Sequence, residues 1–157
     1  MTTPQRQAYI DTLRAFPAQL EAIVVGLTDE QLESREAEGE WSVRQIVHHL
    51  ADAHSNAVLR LKRWLTEDYP TSRDLEQVKL ADMVDYTLPI ESALLTINAV
   101  HLRFVTLFDS LTDEQWSYPQ KPSEGSDNVE NIARIYAWHG ENHLNQIKRA
   151  LTAGLRK

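Results

Sequence analysis

The chain has 157 residues, no cysteine and a formal net charge of −7. This length suits one domain with its own core, and the lack of cysteine excludes disulfides, thiolate metal sites, iron–sulfur clusters and a cysteine nucleophile. The acidic balance disfavours nucleic-acid phosphates and anionic membranes as partners. With no apolar run of transmembrane length and no signal-peptide core in Met1 to Gln7, a cytoplasmic location is expected.

The first apolar-periodic stretch runs from about Gln5 to Val25, with Tyr9, Leu13, Phe16, Leu20 and Ile23/Val24 at helical spacing. Pro17 lies inside it and is expected to kink or divide the helix, and Gly26 ends the pattern. Leu27-Thr28-Asp29-Glu30-Gln31 then restarts the chain, with Thr28 as cap and Gln31 at the reciprocal position. The same five letters recur at Leu111-Thr112-Asp113-Glu114-Gln115, read as one capping sequence used twice. A second long helix begins at the Ser42–Gln45 capping box, stapled by Trp41, and fades near Thr66. Its face is Val43, Ile46, Val47, Leu50, His54, Ala57, Val58 and Leu61. Tyr69-Pro70-Thr71-Ser72 marks a break, and residues 73–86 have room for a short helix.

Pro89, with Thr87 as a cap, suits the start of a third long helix carrying Leu94, Leu95, Ile97, His101, Phe104, Val105 and Phe108. Residues 117–127 read as a polar loop. Asp127-Asn128-Val129-Glu130 then caps a fourth helix that carries Ile132, Ile135, Tyr136, His139, His143 and Ile147. No segment alternates as a strand would. The expected fold is all-α, a four-helix bundle with short helical turns in its connections and a single domain over residues 1–157.

Histidines carry the chemistry. His139 and His143 stand one turn apart on one helix face, and two neutral imidazoles so placed can bind one metal ion. Gly140 follows His139, and Glu141 points some 200 degrees away, so this is not the His-Glu-x-x-His metalloprotease pattern. Gly140 instead permits close helix approach beside the pair. A third ligand comes from His48, His49, His54 or His101. Periodicity favours His54, which sits nearest the middle of its apolar stripe, and spacing alone leaves the choice open. Asp52, one turn from both His48 and His49, is placed to order a histidine or a bound water. Ser55 adjoins His54 without a nucleophile elbow, so serine hydrolysis is not expected.

Two segments in combination resemble the DinB-like superfamily, especially its YfiT-like branch of provisional metal-dependent hydrolases: Gly39-Glu40-Trp41-Ser42 through His54, and Tyr136-Ala137-Trp138-His139-Gly140-Glu141-Asn142-His143. The resemblance implies a four-helix bundle and a three-histidine metal site whose ligands map to His49, before Leu50, and to His139 and His143. His48, Asp52 and His54 then become pocket residues, Asp52 also a candidate proton acceptor. A homodimer is implied as well.

The expected cofactor is one divalent ion, zinc first, with nickel, iron and manganese open. Thiol S-transferases in the superfamily, acting with bacillithiol, mycothiol or glutathione, make ion-stabilised thiolate attack on an electrophilic small molecule the first functional expectation. Arg44 and Arg60 are candidate contacts for a charged thiol cosubstrate. The alternatives are a hydrolase using a metal-activated water and a non-enzymatic, stress-related binding protein.

Overall fold

The structure, a computed structural model, describes residues 2–71, 73–119, 121 and 128–155. Four long helices, α1 (Thr3–Val24), α3 (Val43–Thr66), α5 (Glu91–Asp109) and α6 (Val129–Gly154), are joined through short helices α2 (Asp29–Leu32) and α4 (Gln77–Ala81) and two 3₁₀ turns, Val84–Thr87 and Gln115–Ser117. This is the expected all-α bundle. Among the described residues only an isolated bridge, Arg35 with Ser42, has β geometry. None of the described helices is long and apolar enough to cross a membrane.

The caps form as the sequence dictates. Ser42 Oγ accepts from the Gln45 N–H at 3.2 Å, and the Ser42 N–H donates to Gln45 Oε1 at 3.0 Å. Thr28 and Gln31 close the same reciprocal pair before α2 (2.9 and 3.2 Å), and Thr112 and Gln115 repeat it before the second 3₁₀ turn (2.9 and 3.3 Å). Gly26, at φ +85°, takes the left-handed conformation that stops α1. Two expectations change. α1 runs unbroken through Pro17. Thr87 does not cap α5: it belongs to a 3₁₀ turn, its hydroxyl donates to the Val84 carbonyl, and α5 begins at Glu91. Asn128, within the expected capping run, caps α6 by accepting from the Asn131 N–H at 2.9 Å, while Asp127, Ser72 and most of the polar loop lie outside the described residues.

α3 packs against α5 and α6, and α1 packs against the same two helices. The core divides into two apolar clusters, one at each end. At one end lie Phe16, Leu20 and Val24 of α1, Val43 to Ala51 of α3, Ala93 to Ile97 of α5 and Leu144 to Ala150 of α6. At the other lie Ile10 and Leu13, Ala57 to Trp64, Phe104 to Phe108 and Val129 to Ala137. Reading each helix from one cluster to the other shows that α3 and α5 point the same way, and α1 and α6 point oppositely to them. At 24 residues, α3 is about 36 Å long. Residues 67–90 must therefore return that whole length before α5 can start, and α4 and the first 3₁₀ turn pack back on α3 as they do so.

Candidate metal centre

Between the apolar ends lies a layer of histidines. His49 and His54 enter from α3, His101 from α5, and His139 and His143 from α6; all but His139 are buried. His49, His139 and His143 each offer a ring nitrogen within 4.8 Å of the others, a cluster able to hold a metal ion. The partners of the outer nitrogens show which atoms face inward. His139 Nδ1 meets His54 Nε2 at 3.1 Å, and His143 Nδ1–H donates to Gln146 Oε1 at 2.7 Å. The Nε2 atoms of both rings are thus turned to the centre, where His49 Nε2 lies 3.2 Å from His139 Nε2. Two nitrogens bonded to one tetrahedral ion at 2.0–2.1 Å would stand about 3.3 Å apart. The donor set and its spacing fit a divalent ion that accepts neutral imidazole. Among the described residues, His49 Nδ1 is buried without a hydrogen-bond partner.

The rings are held neutral. Burial is the first cause at every one: it lowers His49 and His101 to about 4 and His139 to about 3, and it lowers His143 as well. Neighbouring histidines push His49 and His139 further down. A hydrogen bond to the Leu13 carbonyl partly offsets burial at His101, and Gln146 does so at His143. Neutral imidazole is the form that offers a lone pair to a metal. Trp41 leans on the cluster, its ring 4.7 Å from that of His49 and stacked at 6.5 Å on His143. Trp64 is core, and Trp138 is 62% exposed.

A cleft of about 260 Å³ opens on two of the three rings. His49 and His139 line it with Asn56, Arg60, Asp74, Gln77 and Tyr136. Burial is the main cause that raises the Tyr136 phenol above its ordinary range. Arg60 lies over the Trp64 ring at 4.5 Å, and its buried Nε has no hydrogen-bond partner among the described residues.

Other sequence candidates fall elsewhere. His48 Nε2–H donates to the Leu88 carbonyl at 3.0 Å and so ties the return segment to α3; it does not line this cleft. Asp52 accepts from the Tyr86 hydroxyl at 2.9 Å; it orders neither His48 nor His49 through a hydrogen bond among the described residues. Burial and this carboxylate raise the Tyr86 phenol. Arg44 is held by Glu33 at 2.7 Å and Asp29 at 2.9 Å, contacts that raise it further, and it lines a separate groove. His54, favoured by periodicity as the third ligand, instead joins His139 to His101. Gln146 and Asp74 were missed. Gln146 stands three residues after His143, a helical spacing that signals contact, whereas Asp74 comes from the return segment and has no such signal.

Residues 12–147 match the DinB superfamily. A provisionally named metal-dependent hydrolase of Oceanobacillus iheyensis is 39% identical over 88% of this chain and 81% of its own length. Another, from Geobacillus thermodenitrificans, is 40% identical over 88% and 80%. The solved structure of YfiT from Bacillus subtilis, described as a probable metal-dependent hydrolase with an unusual four-helix bundle topology, superposes with a TM-score of 0.87 at 32% identity, covering 94% of this chain and 86% of that one. With its helix order, its histidine cluster and this likeness in agreement, the chain belongs to the DinB superfamily, in the YfiT-like branch.

Proposed function

We propose that this protein is a metal-dependent hydrolase whose ion is held by Nε2 of His49, His139 and His143. The observation that carries the reading is the convergence of three neutral imidazoles beside a polar cleft. Zinc is the first choice, and the same donors accept nickel or iron. When bound, such an ion supplies a Lewis acid that lowers the proton affinity of a nucleophile and polarises an electrophile. The remaining work falls to this chain's own side chains. Among the described residues Asp74 is the one carboxylate lining the cleft, and we assign proton acceptance to it rather than to Asp52. Arg60, with no carboxylate at ion-pair distance among the described residues, offers its guanidinium to an anionic group of the substrate. Tyr136 and Trp64 hold that guanidinium at the cleft wall.

The names carried by the relatives favour hydrolysis over the thiol transfer placed first from sequence. One experiment separates the two. Tag-free protein purified without chelators is analysed for metal, loaded with zinc, and assayed on esters and amides that carry a carboxylate, with and without glutathione. Close to one ion per chain and turnover without thiol, lost in His139→Ala, is the expected result. Turnover only with thiol would replace hydrolysis by S-transfer. Neither turnover nor metal uptake would leave a binding protein.

A further inference from the structure

Beyond the three candidate ligands, a line of ring nitrogens crosses the bundle. His139 Nδ1 meets His54 Nε2 at 3.1 Å, His54 Nδ1 meets His101 Nε2 at 2.7 Å, and His101 Nδ1 meets the Leu13 carbonyl at 2.7 Å. The line begins at a helical carbonyl that has lost its usual partner. In α1 the Leu13 carbonyl would accept from the backbone N–H of residue 17, but residue 17 is proline and has none. His101 fills that gap from α5. A proline in mid-helix, a helix breaker on its face, leaves an acceptor here that a histidine on another helix answers.

A carbonyl can only accept, so His101 Nδ1 carries the proton. Neutral imidazole has one N–H, so His101 Nε2 is a bare acceptor and His54 Nδ1 must donate to it. By the same rule His54 Nε2 is bare, His139 Nδ1 donates to it, and His139 Nε2 is left with its lone pair facing the candidate ion site. His54 is fully buried, and its ring partners among the described residues are Phe16, His101, Tyr136 and His139, with no carboxylate there to favour a second proton. The Phe16 ring stacks on both inner histidines, at 5.3 Å from His54 and 4.9 Å from His101. Gly140 leaves room for it: a Cβ there would stand 2.7 Å from the Phe16 ring. Because the line ends on a carbonyl, it has nowhere to pass a proton on. It sets polarity rather than conducting charge.

We propose that His54 and His101 are positioning residues that, starting from the Leu13 carbonyl freed by Pro17, lock His139 in the Nδ1–H tautomer and so present its Nε2 lone pair to the ion. The consequence for the ion rests on the three-histidine reading above; the lock itself does not.

The test reads the ring nitrogens directly. Imidazole ¹⁵N spectra of the metal-free, full-length chain should show a protonated Nδ1 and a bare Nε2 at His54, His101 and His139, opposite to the Nε2–H form that an unconstrained neutral histidine favours. An Nε2–H form at any of the three overturns the lock. Zinc titration against a chromophoric chelator then reads its effect. His101→Gln can accept from His54 and donate to Leu13, and should hold affinity within about 3-fold, whereas His101→Phe should weaken it about 10–100-fold. Equal weakening by both variants would reduce His101 to packing and overturn the positioning role. Should the wild type take up no zinc while its spectra show the three Nδ1–H forms, the metal reading fails and the lock stands.

Discussion

The ends of this bundle and its middle are built on different physics. At the ends, Leu20, Ile46 and Ile147 on one side and Leu61, Phe104 and Ile132 on the other are sealed from water and held by apolar burial. Such contacts are non-directional, so related side chains of similar volume can replace one another. In the middle the same four helices bring together polar rings whose partners are fixed atom by atom. A hydrogen bond there has a donor side and an acceptor side, and reversing one reverses its neighbours. The ends supply the free energy that allows the middle to be polar, and the middle supplies the specificity that the ends lack.

Acid should break this contrast most severely. Unfolded histidines protonate near 6.5, whereas the folded rings of His49 and His101 do so only at about 4 and that of His139 at about 3. Between those values the unfolded chain binds more protons, so stability rises with pH. The contribution is complete above 6.5 and is lost as pH falls toward 4. Each ring held neutral costs up to about 1.4 kcal/mol per pH unit across that window. Urea midpoints of metal-free protein at pH 7, 5.5 and 4.5 should therefore fall steeply, and a flat profile would contradict the buried neutral layer.

Leu61→Ala, within an apolar end, is expected to cost about 2–5 kcal/mol in urea unfolding. It should leave metal stoichiometry unchanged, because no ring of the middle layer depends on it. Gly140→Ala attacks the seam between the two regions. Its new methyl group meets Phe16, and we expect a loss of about 1–3 kcal/mol from overpacking, offset by up to about 1 kcal/mol of helix propensity. A thermal melt of this variant that matches or exceeds the wild type would mean that Phe16 can move without cost. The smallest effects belong outside both regions: Thr28→Ala and Thr112→Ala should each cost about 0.5–1 kcal/mol, with the ring spectra of the middle unchanged.

What the sequence made legible was local. Apolar stripes, the Ser42 box and the twin Thr–Gln boxes depend on residues three or four apart, and they formed where the letters placed them. Helix neighbours were not legible, because the direction of α5 depends on how far residues 67–90 travel. Periodicity favoured His54 over His49 because it finds the centre of a stripe, and on α3 that centre faces His101 and His139 rather than the cleft. Every residue from Ile46 to Leu50 is buried, since α3 is covered by α5, α6 and the return segment, so the pattern there carries little direction. Pro17 read as a break because the donor that satisfies Leu13 lies 88 positions away. Asp52 read as a partner for histidine because Tyr86, its actual partner, comes from the return segment.

That return segment exists because α3 and α5 run the same way, and it lays Asp74, Leu75 and Gln77 along the cleft beside His49 and His139. That side of the cleft is thus made by the part of the return segment that leads into α4, while α4 and the first 3₁₀ turn pack on α3. Loops tolerate change in length and sequence better than the elements they join. Related chains can therefore diverge in what the cleft admits by rewriting residues 67–90, while the helices behind it keep the same rings in the same order.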